Sequence, residues 1–283
     1  MPRGIVVLAI ALLASAADAA MLRLPPVVVP PNSEREVCQY LSVRRGRPGW
    51  TLAGYRVRVS GESHHFYLLD ATGLTPLATA MVDGQASVCV DGTNLLPLVA
   101  ALAPRDALRL PDGIRLPWHT PQALVMNLHV VNGSDRPRTA HVSIRLDLRP
   151  TPPGARLASR WGLEVDRIDV APFTTATVGA RWVLPAPLAL LTLGGHMHAQ
   201  GTSLRAYRDG SPWYAQDDWR HPPEIRFLPP ETLPAGTALT LACAYDNGVR
   251  LPVKRCDGAP CPLVDGRLAS DAMCNIQGYA IAP

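Results

Sequence analysis

Charge is scarce in this chain, and lysine almost missing. Only 18% of the 283 residues are charged, and Lys254 is the single lysine. The remaining basic residues are arginines scattered along the chain, which reads as a compositional bias rather than as chemistry. There is no basic block, no Walker loop and no RNA-reading aromatic signature, so a nucleic-acid partner is not expected. Beyond the first twenty residues, no stretch reaches the roughly 18 uncharged apolar residues that a membrane span needs. No segment keeps helical periodicity over three turns, and no internal repeat is found. With 47% of residues apolar, these absences exclude a disordered chain, a coiled coil and a collagen-like repeat.

What is abundant is proline and glycine, 29 and 22 residues. That composition suits an all-β protein with many turns and edge prolines. Alternation of apolar and polar residues marks half-buried strands at 36–43, 54–60, 66–69, 86–90, 123–131 and 140–148 in the first half. In the second half, 168–172, 174–182, 189–193, 203–208, 237–245 and 275–281 read the same way. Residues 24–32 read as an extended entry segment, and 94–103 as a short helix or a loop. Turns are expected at Asp209-Gly210 and at the proline pairs Pro222-Pro223 and Pro229-Pro230. The breaker run Arg149 to Ala155 is the expected domain boundary. The organisation expected is a leader at 1–20, one antiparallel β-sandwich domain at 21–152 and a second at 153–283.

The leader has Arg3, an apolar run from Ile5 to Ala14, and small residues Ala17 and Ala19 flanking Asp18 before a cleavage site. It directs the mature chain out of the cytosol, to a secreted or periplasmic location. Six cysteines, Cys38, Cys89, Cys243, Cys256, Cys261 and Cys274, fit that oxidising setting as three disulfides. Six cysteines allow about 15 connectivities, and spacing alone selects none.

Histidines carry the chemistry. His196-Met197-His198 places two imidazoles at i and i+2 on one face of a strand, where both can reach one ion. Gly194 and Gly195 just before them let the backbone approach closely. His64-His65 is different: adjacent strand residues face opposite ways, so one ion takes both only at a bulge or a strand end. Otherwise one ring is buried and the other exposed. His129 shares a face with Asn127 and Val125, and by itself reads as a hydrogen-bonded core residue. Met273 by itself reads as core filling. Imidazole suits copper, zinc and iron, and a thioether selects copper. The chain lacks the Glu beside HxH of a cupin, lacks HExxH, and lacks the extra Asp and His of metallo-hydrolases, which argues against a zinc hydrolase.

Taken together, the HH pair, the later LxH strand, the Gly-flanked HxH and the SDAMCN segment occur in an order that resembles the copper type II, ascorbate-dependent monooxygenases. Peptidylglycine α-hydroxylating monooxygenase and dopamine β-monooxygenase are members of that family. The resemblance spans most of the chain, from Cys38 to Ile281. It implies two jelly-roll-like domains, each holding one copper ion. His64, His65 and His129 would bind the electron-supplying copper. His196, His198 and Met273 would bind the catalytic copper that activates O2. It also implies Cys38–Cys89, Cys243–Cys274 and, as a local bridge, Cys256–Cys261. The implied function is an exported monooxygenase that hydroxylates an aliphatic or benzylic C–H bond of a small molecule or peptide. Its co-substrates would be O2 and ascorbate or another one-electron reductant. Gly194 and Gln277 stand where the peptide-amidating member has its carboxylate-holding Arg and Tyr, and Phe66 replaces the Met that usually follows HH. An exported copper-binding or copper-delivery protein on the same scaffold is the alternative, and an adhesion-type sandwich with incidental histidines a third.

Overall fold

Alternating burial builds the first sandwich. The computed structural model describes residues 18–59, 63–72, 86–88, 97–266 and 269–281. One sheet has the order β1 (Asp18–Val29), β10 (Arg138–Pro150), β3 (Trp50–Val59), β7 (Arg105–Arg109). The facing sheet has the order β5 (Ala86–Val88), β2 (Ser33–Val43), β9 (Gln122–Asn132), β4 (Ser63–Asp70), β6 (Pro97–Ala101). In β10, Ala140, Val142, Ile144, Leu146 and Leu148 are buried at every second position, as a sheet with one face on a core requires. They meet Phe66, Leu68, Leu124, Met126 and Leu128 from the other sheet.

The second sandwich pairs the sheet β17 (Glu224–Leu233), β14 (Leu188–Met197), β22 (Cys274–Ile281), β11 (Arg156–Glu164), β8 (Ile114–Arg115) with the sheet β13 (Thr174–Val183), β18 (Ala238–Asn247), β15 (Gly201–Arg208), β16 (Ser211–Gln216). Two small ribbons complete it: β12 (Asp169–Val170) with β21 (Leu263–Val264), and β19 (Arg255–Cys256) with β20 (Ala259–Pro260). Leu193, Met197, Leu204, Leu241, Tyr245 and Ile276 fill its core. The chain is therefore all-β, two jelly-roll-like antiparallel sandwiches.

The halves are not independent. Strand β8, from the first half, adds in parallel to β11. Leu191, Tyr279 and Ile281 of the second sandwich belong to the first sandwich's apolar core. The Tyr279 hydroxyl donates across the seam to the Leu98 carbonyl at 3.0 Å. Among the described residues no helix is long and apolar enough to cross a bilayer.

Two local expectations change. Residues 97–101, read as helix or loop, form β6. Pro229-Pro230, read as a turn, lies inside β17, because β17 is a sheet edge where a missing N–H leaves no ladder bond broken.

Candidate metal centre

The His64-His65 pair sits on a β-bulge. Strand β4 runs Ser63 and His65 against Val130 and His129 of β9, so His64 is the extra residue. Phe66 and Leu68 point into the sandwich core, and His65 and Tyr67 therefore face outward. The bulge rotates His64 onto that same outward face, where its ring centroid lies 5.1 Å from that of His65. His129, on the neighbouring strand, stands 5.1 Å from His65 and 5.3 Å from His64.

On the second sandwich, β14 sends Leu193 and Met197 into its own core and His196 to the opposite face. His198 follows just past the strand end, its ring 5.1 Å from that of His196. Close approach on the core side depends on Gly195: a Cβ there would stand 2.4 Å from Gln216 Oε1 and 2.8 Å from Tyr214 Cε1. The Gly195 N–H donates to the Tyr214 hydroxyl at 2.8 Å.

The outward faces meet, and the five imidazoles become one cluster. His64 lies 4.8 Å from both His196 and His198 across the seam. Ligand nitrogens of His64, His65 and His196 all fall within 4.8 Å of one another. These rings are closed from solvent, with exposures of 7%, 8% and 2%. Burial, reinforced by neighbouring imidazoles, pushes the pKa values of His64, His65 and His196 far below the usual imidazole range. His198 falls to about 4, through burial and His129 and against the opposing pull of Asp271 and Glu34. The rings are therefore neutral, the form that binds metal. Nε2 of His64 and Nε2 of His196 are buried with no hydrogen-bond partner. Such an atom ordinarily costs about 1–3 kcal/mol, and a metal ion is the partner that three converging lone pairs fit.

Three neighbours of the cluster, Glu34, Tyr67 and Trp219, carry no sequence signal of their own. Glu34 accepts a hydrogen bond from His129 Nε2 at 2.8 Å. Burial raises its carboxyl, but hydrogen bonds from His129 and Ala269 and nearby imidazoles more than offset this and hold it below the ordinary value. Tyr67 stacks on His65 at 4.4 Å, and Trp219 meets His64 edge-on at 5.3 Å. Met273 is half-buried just before β22, its carbonyl accepting the Tyr245 hydroxyl at 2.7 Å. A cleft of about 160 Å³ opens along the same seam, lined by Asp106, Arg160, Glu224 and Arg226 among others.

Cys243 on β18 is bridged to Cys274 on β22, joining the two sheets of the second sandwich, and Cys256 to Cys261 across a short ribbon. The expected Cys38–Cys89 link involves Cys89, which lies outside the described residues.

No family model matches the chain, and no curated protein matches it. Among solved structures it is similar to the major capsid protein P2 of bacteriophage PM2, with a TM-score of 0.36 at 10% identity, over 94% of this chain and 97% of that one. It is similar to the STIV MCP, with a TM-score of 0.38 at 9% identity, over 94% and 96%. The PBCV-1 virus capsid gives 0.28 at 10% identity, over 95% of both chains.

These comparisons correct the expected kinship. Three solved structures similar over 94% or 95% of this chain are capsid proteins, and no family model or curated protein links the chain to the copper type II monooxygenases. The monooxygenase activity on a C–H bond with O2 and ascorbate, and the alternative of an exported copper-binding or copper-delivery protein, are withdrawn with that kinship. The physical reason lies in the motifs. HH, LxH, HxH and SDAMCN are patterns of two to six residues, and each can arise from strand alternation and turn chemistry alone. Their geometry also differs from two separate triads, since His64 of the first set lies as near to His196 as to His65. TM-scores this low carry no function from capsid proteins to this chain.

Proposed function

We propose that this is an exported protein in which His64, His65 and His196 hold one structural ion of the zinc type at the seam of two sandwiches. The observation that carries the reading is the convergence of three buried imidazoles, within 4.8 Å, from both sandwiches. An all-imidazole donor set suits zinc, copper or nickel and is poor for magnesium or calcium. The geometry favours a single centre where the resemblance implied two copper ions.

The role of the ion is to fasten the sandwiches. Structural sites are closed, whereas catalytic ones keep a position open to substrate. Here the three rings are buried and Trp219 packs against His64. An ion at this point bonds to β4 of one sandwich and β14 of the other, and relieves the orphaned nitrogens of both. An oxidising compartment fits the two disulfides and the absence of free thiols among the described residues.

Metal analysis after exhaustive dialysis, followed by zinc, copper and nickel titrations of the stripped protein, tests the reading. One ion per chain is expected, with binding lost in His196→Ala. A folded wild-type protein that retains no ion and takes up none overturns it.

A further inference from the structure

Six arginines that lie apart in the sequence share one face of the first sandwich. The sheet of β1, β10, β3 and β7 turns Leu24, Ile144, Val57 and Leu108 into the core, so the alternate residues point to solvent. Strand register aligns those outward residues in three rows. The first runs Arg23, Ser143, Arg58, Arg105 across the four strands. The second runs Met21, Arg145, Arg56, Ala107, and the third Ala19, Asp147, Gly54, Arg109. All six arginines are exposed. The ion pairs among the described residues involve none of them. Asp147, the one acid in the rows, is held by Arg149 at 2.9 Å.

This concentration of charge works against the fold. Arg58 stands directly opposite Arg105, and Arg56 opposite Arg145. Like charges opposed on neighbouring strands destabilise a sheet. Nor is the face a share of a generally basic chain: the net charge is +4, so without these six arginines the chain is net negative. Strands about 4.8 Å apart and rows about 6.8 Å apart put the six on a patch roughly 14 Å on a side. Along the first row the patch is indented by a groove of about 590 Å³, whose described walls include Arg23, Arg58, Arg105 and His141 and no carboxylate.

The chemistry of the face selects its ligand. Guanidinium forks take the oxygens of carboxylate, sulfate or phosphate two at a time. The three rows hold no aromatic side chain, and so no platform on which the bases of single-stranded nucleic acid stack. Met21 is the one large apolar side chain on them, too little to anchor the face in a bilayer. A groove running across strands, with cations along it, fits an extended chain that carries acidic groups at intervals. We propose that this face binds a linear acidic polysaccharide, seated in the groove with its carboxylate or sulfate groups on Arg23, Arg58 and Arg105 and its flank on Arg56, Arg109 and Arg145. The face belongs to the sheet opposite the one that carries His64 and His129, and its binding does not involve the ion.

The test is titration of the full chain with fluorescent heparin and polygalacturonate oligosaccharides at low salt. Wild type should bind at least one of them, and added salt should weaken binding by screening the exposed charges. The triple variant Arg23→Gln, Arg58→Gln, Arg105→Gln should bind about 10–100-fold more weakly, as the loss of three exposed ionic contacts predicts. Removing the same charge from exposed positions of the second sandwich, with Arg167→Gln, Arg181→Gln and Arg255→Gln, should leave affinity unchanged. Phenylglyoxal labelling of the wild type should show Arg23, Arg58 and Arg105 protected by the bound oligosaccharide and Arg167 and Arg181 not; this decides the matter should the first triple variant fail to fold. A wild type that binds neither glycan overturns the inference, as does an equal loss in the two triple variants. Tighter binding to single-stranded DNA or to phosphatidylglycerol vesicles than to either glycan overturns it in favour of those partners.

Discussion

His64 and His196 belong to different sandwiches, yet their rings lie 4.8 Å apart and tilted by 32°. Nε2 of each is buried without a hydrogen-bond partner. Two such atoms on rings this close weaken the metal-free protein and give an ion its strongest purchase.

Zinc should therefore stabilise the fold through both sandwiches at once. At a free concentration 100 times the dissociation constant, a single site adds about 2.7 kcal/mol. Thermal melts with and without zinc should show the corresponding upward shift in wild type. His64→Ala and His196→Ala should each abolish that shift, although they lie on different sandwiches. His221→Ala, at an exposed histidine paired with Asp218, should leave it intact.

Adjacent glycines should behave oppositely. A Cβ on Gly195 collides with the buried side chains of Tyr214 and Gln216, whereas one on Gly194 meets only the Pro223 carbonyl at 3.6 Å. Overpacking of this kind costs about 1–3 kcal/mol. Gly195→Ala should lose that much stability and weaken metal binding by displacing His196; Gly194→Ala should do neither. Urea denaturation of the two variants measures the contrast.

Asp106 should make the seam more stable in mild acid. Burial, and next the Glu224 charge, raise its pKa from 3.8 to about 6, against Arg226 at 3.7 Å and the Tyr55 hydroxyl. The folded state thus binds a proton that the unfolded state has released, and stability from this group falls as pH rises between 3.8 and about 6. A shift of roughly two units is worth about 3 kcal/mol. Asp106→Asn should be more stable than wild type at pH 7.5, by up to that amount, and equal or weaker at pH 4. The difference between the two proteins isolates Asp106 from the titration of the histidines.

The two bridges should differ in weight. Cys243–Cys274 spans 31 residues and both sulfur-bearing residues are fully buried, while Cys256–Cys261 spans 5, with Cys256 exposed and Cys261 half-buried. Loop-closure entropy gives about 3.7 kcal/mol for the first and about 2 kcal/mol for the second. Replacing the first pair by alanines should lower the denaturation midpoint by the larger amount, compared in the same urea series.

Alternation by itself determined that the chain is all-β, and which residues of β10 face a core. That information is local, because side chains on a strand repeat every second position. The same logic restricted His64-His65 to a bulge or a strand end, and the bulge is present. What periodicity does not encode is which outward face meets which. The seam arises because the apolar residues Leu191, Tyr279 and Ile281 of the second sandwich complete the first one's core. Only that packing brings His196 to His64, sets Glu34 of β2 against His129, and lays Trp219 on His64. Glu34 and Trp219 carry no motif, and their contacts join residues far apart in sequence. The order of short motifs suggested a family and two separate ion sites; tertiary packing decided that the imidazoles form one cluster.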